Sequence, residues 1–158
     1  IGIAKRAKKA ILEADMIVLG PGDLYTSTVA NLAVKGVSSA VRKSKAKVVF
    51  IMSLMNKYGQ TYDFRMSDYI EELKKYLGKY PDIVLVNTDP LPKNILKRYE
   101  EEYGYPPEND LKYNDNFKLV RRKLLAGEII KRKTGDTVKR SLIRHDSVKL
   151  AHVLSKLI

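Results

Sequence analysis

Short runs of apolar residues alternate with helical patterns along the first two thirds of the chain. The runs at residues 16–19, 48–52 and 83–86 are continuous, which is typical of strands buried on both faces of a parallel sheet. Apolar residues at helical spacing predict helices over the following segments: 3–13, 26–33, 37–44, 67–77 and 93–103. This alternation predicts an α/β fold with a mainly parallel sheet and helices on both faces.

The pattern changes after two consecutive prolines at positions 106 and 107. Residues 117–125 and 128–131 predict the strands of a β-ribbon, residues 141–144 indicate a possible third strand, and a closing helix is expected from about Asp146. A length of 158 residues suits one domain with a real core. We therefore predict an α/β portion over 1–105, followed by a ribbon and helix of the same domain over 106–158.

Three loops follow the predicted strands, at residues 20–27, 53–66 and 87–92. The carboxyl ends of parallel strands meet at one edge of a sheet, and ligands bind in the crevice beyond them. In the first loop, Gly20 and Gly22 allow a sharp turn and a close approach to a ligand. The hydroxyl residues that follow are expected to cap a helix, where anions bind well. A plain strand-to-helix turn explains the glycines equally well.

Composition narrows the possible chemistry. Cysteine is absent, which excludes disulfides and thiolate metal sites, and the only histidines are His145 and His152. Any metal would depend on oxygen ligands, and His152 is interpreted as structural. No apolar run reaches the length of a membrane span, so a cytoplasmic location is expected.

The net charge of +12 has two interpretations. A basic ribbon could hold RNA phosphates, whereas a lysine-rich composition is also typical of heat-adapted proteins. We favour a solvated basic face or an oligomer contact, because the ribbon has no aromatic ladder. A homo-oligomer is therefore expected, and nucleic acid is not the predicted partner.

A longer string around the first loop carries a resemblance. Asp15 to Ser27 reads Asp-Met-Ile-Val-Leu-Gly-Pro-Gly-Asp-Leu-Tyr-Thr-Ser, and Asn31 and Leu32 follow. Further matching segments occur in order at 46–49, 54–56, 59–61, 67–68, 84–87 and 144–146. Together they resemble the bacterial gluconeogenesis factors, a family related to the 2-phospho-L-lactate transferases.

The resemblance implies a Rossmann-like sheet in a protein that binds a UDP-sugar or another phosphorylated nucleotide ligand and affects carbon metabolism and cell shape. Family members begin with a strand and a glycine-rich nucleotide loop, which this chain lacks. The resemblance therefore covers the C-terminal half, and half of the ligand site is expected to be missing. The first alternative function is phospholactyl or phosphoryl transfer with Mg²⁺, and the second is a nucleic-acid-binding module that uses the basic ribbon.

The predicted ligand-binding residues come from all three loops, from the start of the helix after the second loop, and from the final Arg-His-Asp segment. They are Gly20, Pro21, Gly22, Asp23, Leu24, Tyr25, Thr26, Ser27, Asn56, Thr61, Asp68, Asn87 and Arg144. For three of them a structural alternative stays open. Tyr25 could stack on a base or pack under the loop, Asp68 could face a ligand or favour a helix start capped by Ser67, and Arg144 could contact phosphate or lie in a turn capped by Asp146.

The second loop departs from the family pattern. Gln60 stands where members usually have Glu, Tyr62 where they have Asp, and Tyr69 where they have His. Asp63 and Asp68 remain as weak candidates for Mg²⁺. The loss of carboxylates weakens metal-assisted transfer, so we predict binding rather than catalysis and assign no catalytic residue and no metal.

Overall fold

A four-stranded parallel sheet forms the centre of the molecule, in the computed structural model, which describes residues 2–101, 104–113, 115–127 and 142–158. Its strands are β1 (Met16–Leu19), β2 (Lys47–Ile51), β3 (Ile83–Asn87) and β4 (Lys118–Arg122). They lie side by side in the order β1-β2-β3-β4, and each neighbouring pair is parallel. The predicted mainly parallel α/β fold is therefore confirmed.

Helices connect and cover the strands close to the predicted segments. They are α1 (Lys5–Glu13), a short π-helix (Leu24–Val29) continued by α2 (Ala30–Leu32), α3 (Val37–Lys43), α4 (Met66–Leu77), α5 (Lys93–Glu100) and α6 (Ser147–Ser155). Gly78 ends α4 in the left-handed conformation, with a φ of 78°. None of the helices in the described ranges has both the length and the apolar character needed to cross a bilayer.

The two faces of the sheet have separate cores, because successive side chains of a strand point to opposite faces. On one face, Val48 and Phe50 of β2 pack with α4 through residues such as Leu73. On the other face, Val49 and Ile51 pack with α6. Burial on both faces explains why the central strands read as continuous apolar runs.

The start of the helix after β1 differs from the prediction. The π-helix begins at Leu24 and is preceded by Asp23, so none of the predicted hydroxyl residues is the cap. The carbonyl oxygen of Asp23 accepts hydrogen bonds from the backbone N–H groups of both Ser27 (3.1 Å) and Thr28 (3.2 Å), which widens the first turn. The cap of α4 is likewise Arg65 rather than Ser67.

The predicted ribbon also differs from the structure in its first arm. Residues 118–122 form β4, which pairs in parallel with β3 and belongs to the main sheet. Val120 is buried there and anchors the strand. The second arm, at 128–131, and Ser141 lie outside the described residues. The third strand predicted over 141–144 is wrong for residues 142–144, which form no strand, because this segment makes only an isolated antiparallel bridge between Leu125 and His145. The closing helix is confirmed, because α6 follows Asp146, whose carboxylate accepts hydrogen bonds from the N–H groups of Val148 and Lys149.

Candidate functional site

The loops after β1 and β2 are joined at the carboxyl edge of the sheet. The hydroxyl of Ser53 in the second loop donates a hydrogen bond to the carbonyl of Gly22 in the first, at 3.1 Å. The ammonium of Lys57 forms an ion pair with the carboxylate of Asp23. The two loops therefore hold each other in place, as walls of a single site must.

The first loop presents open backbone to solvent. Gly20 has a φ of 86°, and a Cβ there would lie 3.0 Å from the carbonyl oxygen of Ile51. Pro21 and Gly22 are exposed, as are Thr26 and Ser27 in the first turn of the helix. Because the first turn of a helix has N–H groups without intrahelical acceptors, this surface suits an anion.

Two predicted ligand residues of this loop point inward instead. Leu24 is 2% exposed and belongs to the core, so only its backbone can contact a ligand. Tyr25 packs against α4, where burial and a hydrogen bond with Glu72 raise the pKa of the phenol. Of the two interpretations of Tyr25, packing under the loop is the one that the structure shows.

Asn56 and Thr61 of the second loop are buried in a polar network. The hydroxyl of Tyr69 lies 2.9 Å from both Asn56 Oδ1 and Thr61 Oγ1. Asn56 Nδ2 also donates to the carbonyl of Phe64, and Thr61 Oγ1 accepts from the N–H of Lys57. Both side chains shape the loop from inside, and neither faces a ligand from here.

Asp63 of the second loop and Asp68 at the start of α4 are the weak candidates for Mg²⁺. Asp68 Oδ2 accepts a hydrogen bond from the N–H of Arg65 at 2.7 Å, which is the helix-start interpretation. Asp63 is exposed and has a φ of 61°. Within the described ranges, no group of three or more His, Cys, Asp or Glu side chains is arranged to hold a metal ion. The carboxylate cluster that the transferase hypothesis predicts around Asp23, Asp63 and Asp68 is thus not found there.

Asn87 ties the third loop to the end of β4. Its Oδ1 accepts hydrogen bonds from the N–H groups of Asp89 (3.1 Å) and Leu124 (2.9 Å). Asp89 Oδ2 in turn accepts from the N–H of Leu125. Asn87 therefore has a structural task, although one side of it still borders a cleft.

The Arg-His-Asp segment lies beside this third loop. The carbonyl of Arg144 accepts a hydrogen bond from the N–H of Ala126, and the N–H of Asp146 donates to Leu124. The Arg144 side chain is exposed. The two backbone hydrogen bonds join the segment to residues 124–126, which follow β4, and three strand spacings of about 4.8 Å each separate β4 from β1 by roughly 14 Å.

A cleft of about 170 Å³ lies between these two ends, over the carboxyl ends of β2 and β3. Its walls include Ser53, Leu54, Asn87, Asp89, Pro106 and Pro107. Sequence reasoning missed the two prolines as site residues. They reach the cleft because Asp110 accepts hydrogen bonds from the N–H and hydroxyl of Ser67, which fastens the segment to α4. Although burial opposes it, these hydrogen bonds keep the pKa of Asp110 below its usual value.

Comparison with known proteins identifies the family. The sequence model of the CofD family, described as 2-phospho-L-lactate transferase CofD, matches residues 2–126. The chain belongs to this family. The resemblance that the first loop carries is thereby confirmed.

Relatives of this CofD-family chain include named gluconeogenesis factors. The "Gluconeogenesis factor" of Bacillus subtilis is 34% identical over 94% of this chain and 44% of its own length. A Thermotoga maritima protein with the provisional form of that name is 41% identical over 94% of this chain and 46% of its own. A crystal structure of a UPF0052-family protein from Bacillus halodurans has a TM-score of 0.82 at 24% identity, covering 98% of this chain and 46% of that one. The chain thus spans less than half the length of these relatives.

The basic segment of this CofD-family chain is only partly described. Lys118, Arg121, Arg122 and Lys123 are exposed on and after β4. One nitrogen of Arg121 donates to the carbonyl of Leu111, so this charge partly serves the fold. Residues 128–141 lie outside the described ranges, and the proposed basic face stays a prediction.

His145 predicts a pH dependence of stability. Burial lowers the pKa of its imidazole from 6.5 to about 4, and Nε2 has no hydrogen-bond partner in the described part of the chain. The unfolded chain therefore binds a proton more readily between these two values, and stability is lost as the pH falls through this window. From about pH 7.5 to about pH 5, we expect a loss of up to about 2 kcal/mol.

Urea unfolding at the two pH values checks this expectation. The non-titrating variant His145→Asn should show a smaller loss between them than the wild type does. His152→Asn is the matched control, because His152 is exposed, and it should keep the wild-type dependence. Equal pH dependence in wild type and His145→Asn would show that the imidazole contributes nothing.

Proposed function

We propose that this chain binds a nucleotide-sugar or a similar phosphorylated nucleotide ligand along the carboxyl edge of its sheet, as a cytoplasmic regulatory protein of the gluconeogenesis-factor type. The first loop is the main support. It offers exposed backbone at Gly22, the hydroxyls of Thr26 and Ser27, and the start of a helix. These groups suit a phosphate.

The length of the edge supports an extended ligand. The first loop follows β1 at one end of this edge, and the exposed Arg144 is bonded through its backbone to Ala126, beyond β4 at the other end. Strand spacing separates β1 from β4 by roughly 14 Å. The cleft with Ser53 and Asn87 lies between them. A ligand with phosphates near one end and further polar groups near the other fits this arrangement.

The carboxylates near the site are already bonded to other groups of the protein, which favours binding over catalysis. Asp23 is paired with Lys57, Asp68 with the backbone of Arg65, and Asp89 with the backbone of Leu125. The family description names a transferase, which keeps Mg²⁺-dependent transfer as the second candidate. Because the relatives are more than twice as long, we propose that part of the ligand site is supplied by a segment beyond these residues.

Calorimetry of the full-length protein with UDP-sugars tests the proposal. The same measurement on Arg144→Gln tests whether this side chain contacts the ligand. Loss of a hydrogen bond to a charged group should weaken binding by about tenfold. Lys43→Gln is the charge-matched control, since Lys43 ends α3 just before β2, at the opposite edge. No binding at millimolar UDP-sugar would overturn the proposal. Equal weakening in both variants would mean that only overall charge matters.

A further inference from the structure

Three tyrosines form an exposed cluster on the surface. Tyr58 is 64% exposed, Tyr62 is 42% exposed and Tyr105 is 41% exposed. The ring of Tyr62 packs edge-to-face with those of Tyr58 and Tyr105, at centroid distances of 5.9 and 6.4 Å. We call these three residues the tyrosine cluster. Aromatic side chains usually bury most of their area, so a shared exposed position points to an external partner.

Two members of the tyrosine cluster are sequence neighbours of residues in the candidate site. Tyr58 is adjacent in sequence to Lys57, whose ammonium contacts Asp23 in the first loop. Tyr105 is adjacent to Pro106, which lines the cleft. Consecutive Cα atoms are about 3.8 Å apart, so both tyrosines begin one residue away from side chains of the site.

The backbone that carries the tyrosine cluster is held firmly. The N–H groups of Gln60 and Thr61 both donate to the carbonyl of Lys57, and the N–H of Asn56 donates to the carbonyl of Tyr105. The buried side chains of Asn56 and Thr61 fix the same loop from below through Tyr69. A surface fixed in advance binds a ligand at a lower entropy cost.

We propose that the tyrosine cluster binds the planar ring system of a nucleotide whose phosphates lie at the first loop. This inference rests on the proposed function and adds the surface that receives the base. Stacking on tyrosine suits any nucleobase, because every base has a π-face. Tyr25 cannot supply that surface, since it packs against α4.

The experiment compares uridine diphosphate with inorganic pyrophosphate, which has the phosphates but no ring. Calorimetry on the full-length protein gives both affinities for the wild type, for Tyr58→Ala/Tyr62→Ala and for Tyr113→Ala. Tyr113 is the control because it is 91% exposed and lies outside the tyrosine cluster. We expect uridine diphosphate to bind about tenfold more tightly than pyrophosphate in the wild type and the control. In Tyr58→Ala/Tyr62→Ala, the ratio of the uridine diphosphate affinity to the pyrophosphate affinity should fall to near one, with the pyrophosphate affinity unchanged.

The outcomes separate this inference from the proposed function. An unchanged ratio in the double variant overturns the inference and leaves the anion loop standing. Binding of neither compound by the wild type overturns the proposed function and the inference together. The variant Tyr58→Phe/Tyr62→Phe keeps the rings and should keep the wild-type ratio. An affinity ratio near one in that variant would mean that the hydroxyls, and not stacking, bind the ligand, which also overturns the inference.

Discussion

Replacing Tyr69 by alanine is expected to lower the free energy of unfolding by about 3–5 kcal/mol, because it removes a large side chain from the core. Tyr69 is 1% exposed and packs edge-to-face on Phe64, with centroids 5.6 Å apart. Its hydroxyl also lies within hydrogen-bond distance of Asn56 and Thr61, which are themselves buried. Tyr69→Phe keeps the packing but removes the hydroxyl that bonds Asn56 Oδ1 and Thr61 Oγ1, of which Thr61 Oγ1 keeps its hydrogen bond from the N–H of Lys57. We expect a loss of about 1–3 kcal/mol, because buried Asn56 Oδ1 loses this hydrogen bond.

Urea denaturation of the two variants measures both losses. Tyr76→Ala is the matched control, because Tyr76 lies on the same helix but is 39% exposed, and it should cost about 1 kcal/mol or less. A phenylalanine variant as stable as the wild type would show that the hydroxyl network contributes nothing. Since this network holds the second loop, Tyr69→Ala should also weaken binding of any ligand that depends on that loop.

The central strands could be predicted from sequence because they are buried on both faces. Residues 48–51 and 83–86 are all buried. A short continuous apolar run of this kind is typical of a strand covered on both faces of a parallel sheet. The strand β4 was assigned to a ribbon because it is an edge strand in the described sheet. Lys118, Arg121 and Arg122 are exposed there, so its pattern resembles that of any half-exposed strand. Only its pairing with β3 places it in the main sheet.

The first loop could be predicted as a candidate site because glycine chemistry is local. The direction of a side chain depends on partners that are distant in sequence. Asn56 turns inward because its Oδ1 accepts a hydrogen bond from the hydroxyl of Tyr69. Tyr25 turns inward because it packs on the core and bonds to Glu72. The proline wall of the cleft depends on the contact between Ser67 and Asp110. No local pattern encodes such contacts, so these positions could not be predicted from the chain alone.

Gly20→Ala is expected to cost about 2–5 kcal/mol of stability and to remove pyrophosphate binding. The φ of 86° costs an alanine about 1–2 kcal/mol, and crowding against the carbonyl of Ile51 adds about 1–3 kcal/mol. Gly59→Ala is the matched control. Gly59 has a φ of 76°, but no heavy atom lies within 4 Å of its added Cβ, so only the conformational cost of about 1–2 kcal/mol applies. Urea denaturation and calorimetry measure the two effects.

Gly22→Ala separates the binding role of the first loop from its stability. Gly22 is exposed, and its added Cβ would lie 3.1 Å from Cβ of Ser27. We expect a small loss of stability, because Ser27 is exposed and can shift, together with weaker pyrophosphate binding, because the methyl group covers the open backbone. If Gly22→Ala and Gly20→Ala both keep wild-type affinity while folded, the loop is a plain strand-to-helix turn. If Gly22→Ala loses affinity but keeps its stability, backbone access is what the loop provides, and the two glycines have separate tasks: Gly20 makes the turn and Gly22 leaves room for the anion.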